Sequence, residues 1–457
     1  MCIDSYEQTT LSILRKLLEF SNKGNKGQRE YNQNFLKLNT MDSADDSKKQ
    51  AIRDVFVNSR LLLIYGAAGT GKTTLINYIS NLMANQRKLF LTKTHTALQN
   101  LKRRIDNPGP TSDFVSIDSF TKKVQLPDYE TIFVDECSTI DNRTMQRFLS
   151  KMRPDTFLVL AGDIHQIESI EFGNWFFYAK DIIKTQGSNV ELLNTWRTKD
   201  QALISLWNEV RTKDALITEK LVIDGPFSED IGPKVFERKT DDEVILCLNY
   251  DGKFGLNSMN NYFQAANTRG AAVSWAEWTY KVGDPILFND SKRFSLLYNN
   301  LKGRIVNIEK DSINISFTVD VDIPLTEVAC SRDGIEFIET VENGTRIRFT
   351  VYAYDSGKTE EEDDDLRIKS VVPFQLAYAV SIHKAQGLEY DSVKVIIPNN
   401  NAEKITHGVF YTAITRAKVN LKIYWSSETM HDVVESFSVG ESKRKSLKIV
   451  KAKLASV

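Results

Sequence analysis

The chain has 457 residues, 41% of them hydrophobic and 26% charged, with a formal net charge of -1. This length allows two to four domains with separate cores, and the balanced charge excludes a globally basic nucleic-acid-binding surface but not a local basic groove. The four cysteines are scattered without a CxxC pair, and neither a signal-peptide pattern nor a membrane-spanning apolar run is evident, so we expect a cytoplasmic protein with no zinc site, disulfide framework or membrane partner.

The N-terminal region predicts one amphipathic helix. Residues 9–20 place four leucines on one helical face, after a threonine that can act as a cap. A polar, glycine-bearing stretch follows, which is typical of a linker. We therefore predict that residues 1–40 form a helical appendage and linker.

From Leu61 onward, short apolar runs alternate with helical segments. Runs of this length and composition are typical of strands buried on both faces. The runs are LLLIY, KLFLT, TIFVD and TFLVLAGD, and later EVILCLNY, FQLAYAVSIHKAQG, SVKVIIP and LKIYW. Strands that alternate with helices favour parallel sheets with right-handed crossovers, whose ligands bind beyond the carboxyl ends of the strands.

Between roughly residues 281 and 370 the pattern changes to alternating polar and apolar residues. KGRIVNIEKDSINISFTVD and TRIRFTVYAY alternate as antiparallel strands do. We predict a small β-barrel inserted into the second α/β region, with the acidic run Glu360–Asp365 as a solvated loop tip.

The segment from Gly66 to Thr73 reads GAAGTGKT and lies between a predicted strand and a predicted helix. It matches the phosphate-binding pattern G-x-x-x-x-G-K-[ST], in which successive backbone N–H groups and the helix N-terminus meet the anion. We expect Lys72 to bridge the β- and γ-phosphates of ATP, and Thr73 to place a hydroxyl on Mg²⁺. The predicted nucleotide-binding residues here are Gly66, Ala68, Gly69, Thr70, Gly71, Lys72, Thr73 and Thr74.

Two later strands also end in polar residues. In VDECS, Asp135 is expected in the magnesium shell, and Glu136 is expected to orient and deprotonate the attacking water. In LAGDIHQ, Gln166 is placed to reach the γ-phosphate or its water, although a glutamine after a strand is more often an ordinary loop residue. Together these motifs predict an NTPase.

Five motifs, in this order, resemble those of the superfamily-one helicases, most closely the RecD-like and Dda-like branch with UvrD-type C-terminal motifs. They are GAAGTGKT, VDE, GDIHQ, IHKAQGLEY and YTAITRAK. The resemblance spans about residues 45–430 and implies two RecA-like domains with ATP in the cleft between them. It also favours 5′→3′ movement along a strand.

The resemblance assigns roles to further residues. Arg197 and Arg416 match the family's two arginine fingers, which stabilise the charge of the phosphoryl-transfer transition state. Gln50 matches the adenine-contacting glutamine, with a plain surface glutamine as the alternative, and Tyr65, Trp196 or Arg197 are other candidates to pack the base. Two further nucleotide contacts implied within IHKAQGLEY are Gly387 and Glu389.

Seven residues are predicted to contact nucleic acid. Six follow from the resemblance and one, a tryptophan within EFGNWFFYAK, is a candidate for base stacking, with core packing as the alternative for most of them. The seven are Thr94, His95, Ser119, Phe120, Trp175, Asn249 and His383. Five residues outside the ATP chemistry depart from those common in the family and bear on the grip on the strand and on step coupling. They are Lys93, Thr96, Asp118, Glu168 and Ser169.

The predicted fold class is α/β, with two RecA-like parallel-sheet P-loop domains and a small SH3-like β insertion in the second. The predicted boundaries are 1–40 for the helical appendage, 41–198 for the first RecA-like domain, 199–280 with 371–440 for the second, 281–370 for the insertion and 441–457 for a basic tail.

The predicted function is an ATP-dependent, Mg²⁺-requiring translocase on single-stranded DNA or a tailed duplex, able to act as a helicase. One alternative is an RNA helicase of the same superfamily, which contacts to the 2′-hydroxyl would distinguish. Another is an ATPase switch subunit of a nuclease or defence complex. No nuclease motif is evident in the sequence, so cleavage would require a protein partner such as a nuclease.

Overall fold

The computed structural model describes most of the chain. The described residues are 2–23, 58–109, 111–124, 127–167, 173–213, 217–224, 227–290, 293–353, 368–399, 405–437 and 441–455. Gln50, most of the predicted linker and the acidic run at 360–365 lie outside these ranges. Contacts divide the chain into two units, one of Met1–Lys220, Thr406–Thr415 and Val433–Val457, the other of Leu221–Ile405 and Arg416–Asp432.

The helices and strands are numbered in chain order. The helices are α1 Cys2–Ser21, α2 Lys72–Leu82, α3 His95–Arg104, α4 Ile117–Lys122, α5 Asn142–Ser150, α6 Trp175–Ile182, α7 Gln201–Thr212, α8 Leu256–Ala266, α9 Glu327–Arg332, α10 His407–Ile414, α11 Ser427–Ser436 and α12 Glu441–Ala455. Short helical turns lie at Cys137–Thr139, Ile217–Glu219, Lys220–Asp224 and Pro233–Phe236.

Within the described residues, the strands fall into four sheets. They are β1 Leu61–Gly66, β2 Lys88–Thr92, β3 Ser112–Ser116, β4 Thr131–Val134, β5 Phe157–Gly162, β6 Asn189–Leu192, β7 Ser228–Glu229, β8 Glu243–Cys247, β9 Val273–Trp275, β10 Trp278–Tyr280, β11 Pro285–Phe288, β12 Lys302–Lys310, β13 Asn314–Val321, β14 Glu336–Val341, β15 Gly344–Tyr352, β16 Phe374–Leu376, β17 Ala379–Ser381, β18 Tyr390–Ile396 and β19 Ala417–Tyr424.

The first unit is built on a parallel sheet of order β3-β2-β4-β5-β1-β6. Every residue of β1 is buried, because alternate side chains enter cores on opposite faces of the sheet. Leu61 and Leu63 join one core, whereas Leu62 and Ile64 join the other. This two-sided burial explains the continuous apolar runs in the sequence.

Helix α1 belongs to the core of the first unit. Leu14 and Leu17 are fully buried in the core that also contains residues of α5 and α6. The Asn142 side-chain amide donates to the Thr10 hydroxyl at 2.7 Å, which ties α1 to α5. The helix is therefore not the appendage that the sequence predicted, because its leucine face is covered by its own unit.

Two C-terminal helices, α10 and α12, also group with the first unit, although the sequence assigned them to the second domain and to a tail. Leu447 and Val450 of α12 are buried in the same core as α1. In α10, the Ile414 carbonyl accepts a hydrogen bond from the Trp207 indole on α7 at 3.1 Å. The order of segments along the chain therefore does not follow the division into units.

The second unit contains a parallel sheet of order β17-β8-β18-β19-β7 and a six-stranded antiparallel sheet of order β14-β15-β13-β12-β11-β16. Strand β13 alternates in burial as the sequence pattern predicted, with Ile315, Phe317 and Val319 inside. The predicted fold class is confirmed: the protein is α/β, with two parallel sheets and an antiparallel six-stranded insertion in the second domain.

Among the described residues, no helix combines the length and apolar character needed to cross a membrane. The same part of the chain has no group of three or more His, Cys, Asp or Glu residues arranged to hold a metal ion. Cys137, Cys247 and Cys330 are buried free thiols.

Candidate active site

The phosphate-binding loop joins β1 to α2 and depends on two glycines with positive φ. Gly69 has φ +74° and Gly71 has φ +86°, a backbone region that L-residues rarely adopt. At Gly69 an added Cβ would lie 2.4 Å from the Arg197 Cβ. Glycine at this position therefore allows the segment that carries Arg197 to lie directly against the loop.

Lys72, at the start of α2, is held by the loop itself. Its ammonium donates to the carbonyls of Gly66 and Ala67 at 2.9 and 3.0 Å. Burial lowers the pKa of Lys72, whereas the carboxylates of Asp163 and Asp135 act in the opposite direction. The ammonium thus points back into the loop, where the sequence pattern predicts that phosphates bind.

The second element of the site is a hydroxyl–carboxylate pair. The Thr73 hydroxyl donates to Asp135 Oδ2 at 3.0 Å, and the backbone N–H of Glu136 donates to Asp135 Oδ1 at 2.8 Å. Hydroxyl and carboxylate oxygens are ligands that Mg²⁺ accepts, together with phosphate oxygens. Glu136 has φ 55°, a strained left-handed conformation for a non-glycine residue, which is common at functional sites.

Asp163, directly after β5, is a site residue that was not predicted from the sequence. It is buried, and it accepts hydrogen bonds from the His165 N–H at 3.0 Å and from the Gln166 amide at 3.3 Å. Burial raises the pKa of Asp163, and the Lys72 charge partly offsets this. Asp163 could have been predicted from the sequence, because, like Asp135, it is an acidic residue directly after a buried strand.

Helix α10 packs against the loop that carries Gln166. The Ile167 N–H donates to the Thr412 hydroxyl at 2.9 Å. A Cβ added at Gly408 would lie 3.0 Å from the Gln166 carbonyl, so the glycine permits this close approach. The phenol of Tyr411 is enclosed near the Ala68 N–H and the Asp163 carboxylate, and burial raises its pKa well above the ordinary value. Neither Tyr411 nor Thr412 was singled out from the sequence.

The segment before Arg197 is bonded to the phosphate-binding loop. The Trp196 N–H donates to the Gly69 carbonyl at 2.7 Å, and the Thr195 hydroxyl donates to the Ala68 carbonyl at 3.0 Å. The Trp196 side chain is 70% exposed. The Arg197 guanidinium donates to the Thr415 carbonyl at 2.6 Å.

The candidates to pack the base differ in exposure. Tyr65 is buried, with its hydroxyl donating to the Phe176 carbonyl at 3.2 Å, so its ring is not presented to a ligand. Trp196, beside the loop, has the exposed ring that stacking requires. Gln50 lies outside the described residues.

Three predicted nucleic-acid contacts cluster at one edge of the first sheet. Strands β2 and β3 pair in parallel, with Thr92 opposite Ser116, so the segments after them are neighbours. Thr94, His95 and Ser119 are all exposed there. This arrangement brings together three residues that were separate in the sequence.

Lys93 and Asp118, two of the residues that depart from the family pattern, form an ion pair at 3.0 Å near these residues. Lys93 also pairs with Asp141, at 3.2 Å. The ion pairs connect the segment after β2 to α4 and to the start of α5. They supply a local explanation for both departures.

The structure does not support contacts to nucleic acid at Trp175 and Phe120. Trp175 is fully buried and its indole N–H donates to the Ile140 carbonyl at 2.8 Å. Phe120 is 2% exposed and packs against Phe148 with 5.9 Å between ring centroids. Both rings are core residues, because neither has a face available to a base.

In the second unit, Asn249 and His383 lie beyond adjacent strand ends. Strands β8 and β17 pair with Cys247 opposite Ser381, and each candidate follows two residues later. His383 is exposed and Asn249 is half-buried. The second sheet thus presents these two residues at its carboxyl edge, as the first sheet presents Thr94.

Arg416 lies beside the GLEY segment within the second unit. It is 2% exposed and its guanidinium donates to the Leu388 carbonyl at 3.1 Å. The Tyr390 N–H donates to the Arg416 carbonyl at 3.0 Å, and Gly387 has φ +81°. The structure therefore brings Arg416 together with the segment containing Gly387 and Glu389, whose predicted roles remain predictions.

Two family models match the chain. An AAA domain matches residues 43–223, which include the phosphate-binding loop, Asp135, Gln166 and Arg197. A UvrD-like helicase C-terminal domain matches residues 376–424, which include His383 and Arg416. The chain is a superfamily-one helicase of the RecD/Pif1-like type. The predicted family is thereby confirmed, and the helicase is an ATP-binding P-loop enzyme that hydrolyses ATP.

Relatives match most of the chain of this helicase at low sequence identity. It is 23% identical to the RecBCD enzyme subunit RecD of Mycolicibacterium smegmatis, over 86% of this chain and 73% of the relative. It is 22% identical to the corresponding subunit of Buchnera aphidicola, over 82% and 71%. A solved structure of Pif1 helicases acting at forked DNA matches with a TM-score of 0.52 and 14% identity, over 89% of this chain and 97% of that one, which supports the fold.

Proposed function

We propose that this helicase uses ATP hydrolysis to move along single-stranded DNA in the 5′→3′ direction and to separate tailed duplexes. The observation that carries the proposal is the geometry at the end of β1 and β4. The Thr73 hydroxyl lies 3.0 Å from Asp135, and Lys72 is held at the mouth of the same loop. The substrate and direction are supported by the helicase motifs and by relatives whose names place them in the RecBCD and Pif1 groups.

The charge arrangement suits phosphoryl transfer. Lys72 would exchange its two loop carbonyls for phosphate oxygens, and Thr73 with Asp135 would hold Mg²⁺, which supplies charge stabilisation when bound. Glu136, on the strained backbone next to Asp135, is the proposed base for the attacking water. Gln166, bonded to Asp163, is the proposed contact to the γ-phosphate or that water.

Cationic and aromatic groups complete the proposed nucleotide site. Arg197 is the first proposed finger, because its backbone lies directly against the phosphate-binding loop. Arg416 is the second, supported by its place in the YTAITRAK motif. Trp196 is the proposed surface for the adenine ring, since its indole is exposed beside the loop.

The proposed track for the strand consists of polar groups at the carboxyl edges of the two parallel sheets. Thr94, His95 and Ser119 would contact it on the first unit, and Asn249 and His383 on the second. Contacts of this kind, directed to the sugar–phosphate backbone, fix the path of a strand without reading its sequence.

We also propose that the chain works with a protein partner such as a nuclease. The relative from Mycolicibacterium smegmatis is named as a subunit of the RecBCD enzyme, and the coverage of 73% of its length includes most of that subunit. No nuclease motif is evident in the present sequence, so DNA cleavage is not expected from this chain alone.

The proposal is tested by ATP turnover and by unwinding. We expect turnover to rise with poly-dT and to rise less with poly-U, and we expect unwinding of duplexes with a 5′ tail but not with a 3′ tail. Stimulation by poly-U alone would favour RNA as substrate. Turnover that neither polymer changes would favour an ATPase switch over a motor.

A further inference from the structure

The second unit contains a cavity that no step of the proposed motor uses. Its volume is about 560 Å³, within the usual range for sites that bind small ligands. Its wall is formed by the segment before β8, by α8 and the segment that follows it, by Gly283 before β11, by Arg304 on β12 and by Tyr378 before β17. We call it the basic cavity.

The wall of the basic cavity is strongly cationic. Four cationic side chains line it against one carboxylate, Asp241, so the wall carries three net positive charges. The four are Arg238, Lys239, Arg269 and Arg304. This excess stands out in a chain whose formal net charge is -1. An anion is the ligand that such a wall attracts.

Two of the guanidinium groups are fixed in place by neutral backbone groups. Arg238 donates to the Asp241 carbonyl at 3.1 Å and lies over the Tyr378 ring, 5.1 Å from its centroid. Arg304 donates to the carbonyls of Gly283 and Asp241, both at 2.9 Å. Carbonyls orient a guanidinium but do not neutralise it, so both side chains keep their charge for a ligand.

The rim has room for a third guanidinium because of a glycine. Gly283 has φ +87°, and a Cβ added there would lie 2.7 Å from the Arg269 Cδ. Arg269 pairs with Asp241 at 3.0 Å, and both side chains are largely exposed. The Lys239 ammonium forms no hydrogen bond or ion pair within the part of the chain that the structure describes. Asp241 is thus the one wall carboxylate opposing these charges.

The wall also offers an aromatic surface. Phe236 lines the basic cavity, is only half-buried and packs against Tyr262, with 4.4 Å between ring centroids. A planar ring beside guanidinium groups fits a ligand that carries both a phosphate and a base. A phosphate alone would leave this aromatic surface unused.

The basic cavity is separate from the proposed strand track of the second unit. Arg238 and Lys239 precede β8, whereas Asn249 follows it. A five-residue strand spans roughly 16 Å. The two sites therefore lie at opposite ends of β8, and one short ligand cannot be assigned to both.

We propose that the basic cavity is a second binding site, for a nucleotide whose phosphate meets the guanidinium groups and whose base lies against Phe236. The nucleotide is either a free mononucleotide or the 5′-terminal nucleotide of a strand, since both present the same phosphate and base. This site does not depend on the proposed motor function.

Equilibrium binding of dTMP to the full chain tests the proposal. A monophosphate lacks the β-phosphate that Lys72 is predicted to contact, so it is a poor probe for the phosphate-binding loop. The cavity variant is Lys239→Glu with Arg269→Gln, which removes the three net charges of the wall through two exposed side chains. The control is Lys451→Glu with Lys448→Gln, an equal charge change at exposed positions of α12.

We expect the cavity variant to bind dTMP on the order of tenfold more weakly than the parent, because charge-assisted contacts to phosphate are lost. The control should bind within about twofold of the parent. Thymidine and inorganic phosphate should each bind more weakly than dTMP. Equal affinity of both variants, or equal binding of inorganic phosphate and dTMP, would overturn the proposal.

Two further measurements locate the site and identify the source of its ligand. Photocrosslinking with 5-iodo-dUMP should label the peptide containing Phe236, and labelling confined to the phosphate-binding loop would contradict the assignment. The difference in affinity between the cavity variant and the control is then measured for dTMP and for a 5′-phosphorylated tetrathymidylate. A larger difference with the tetrathymidylate would identify a strand end as the ligand. A larger difference with dTMP would identify a free nucleotide. Turnover without strand stimulation would refute the proposed motor and leave these binding results unaffected.

Discussion

Lys72 in the first unit and Lys394 in the second lie in the parallel-sheet regions of their units, and these two lysines are bonded differently. Lys394, on β18, is 1% exposed and forms an ion pair with Glu243 at 3.1 Å, supplemented by the Val235 carbonyl at 3.3 Å. Lys72 donates to two loop carbonyls and, among the described residues, forms no ion pair within 4.0 Å. The fold therefore neutralises Lys394, whereas the charge of Lys72 lacks a directly bonded anion.

The comparison separates a structural charge from a functional one. Burial lowers the pKa of both lysines, and carboxylates oppose that effect in both places. For Lys394 the opposing carboxylate is in direct contact, whereas for Lys72 the carboxylates of Asp135 and Asp163 act without a direct ion pair. Perturbed cations without a bonded partner are candidates for ligand binding.

Arg416 is another buried cation, and it tests whether a buried cation of the second unit can be functional. We expect Arg416→Ala to lower ATP turnover by about 10³–10⁵, as the loss of an arginine finger does. Nucleotide binding should be largely intact, and Arg416→Lys should rescue poorly because an ammonium lacks the planar fork of donors. Steady-state turnover of a variant shown by melting to be folded provides the measurement. Turnover at the parent rate would make Arg416 a structural residue.

A substitution at Glu136 tests the chemistry of the first unit without altering Lys72. We expect Glu136→Gln to bind nucleotide as the parent does and to lose about 10²–10⁴ in turnover, because an amide cannot accept the proton of the attacking water. Affinity and single-turnover hydrolysis should therefore separate. A parallel fall in both would indicate that the left-handed backbone at Glu136 has only a structural role.

The buried pair of the second unit should affect stability and not chemistry. Glu243→Gln leaves the Lys394 charge buried without its carboxylate, and we expect a loss of about 3–5 kcal/mol in the free energy of unfolding. Replacing both, as Glu243→Leu with Lys394→Met, should be far less destabilising. Urea unfolding of the full chain, followed through the transition of the second unit, measures the loss of stability in the single and in the double variant. Equal losses in the single and double variants would show that the ion pair is not the source of the effect.

Buried His165 should have a smaller effect, on the stability of the folded chain, that depends on pH. Burial lowers its pKa to about 3, helped by the nearby His407 and Arg211. Because the unfolded chain then binds more protons, stability should fall as pH drops from about 6.5 toward 3, by about 1 kcal/mol at pH 5.5. His165→Gln should reduce this loss, whereas the exposed His383→Gln should not. Denaturant unfolding at pH 7.5 and 5.5 provides the test, and identical losses in the two variants would contradict it.

The sequence was sufficient to predict the parts of the fold and of the site that depend on a local pattern of residues. Continuous apolar runs predicted the strands of both parallel sheets, since a strand buried on both faces needs apolar residues throughout. The glycine pattern located the phosphate-binding loop, because few other arrangements permit its positive φ angles. The alternation at β13 indicated the antiparallel insertion in the same way.

The sequence was insufficient to predict burial and residue roles that depend on contacts with distant parts of the chain. Nothing in the leucine face of α1 specified that α5 and α6 cover it. A tryptophan such as Trp175 can lie in a core or on a surface, and the sequence alone does not distinguish the two. Asp163 and Thr412 were missed because their roles come from contacts to Gln166 and Ile167 that only the folded chain creates. Helix α10 was assigned to the second domain because it follows that domain's strands in the chain.

We propose that the charge of Lys72 is held for a phosphate, whereas that of Lys394 is satisfied by the fold. Titration of a non-hydrolysable ATP analogue into folded Lys72→Ala and into the Glu243→Leu, Lys394→Met double variant tests it directly. We predict that affinity falls about 10- to 100-fold in Lys72→Ala, the usual loss for a charge-assisted hydrogen bond, and stays within about twofold of the parent in the double variant. An affinity of Lys72→Ala equal to that of the parent would contradict the claim.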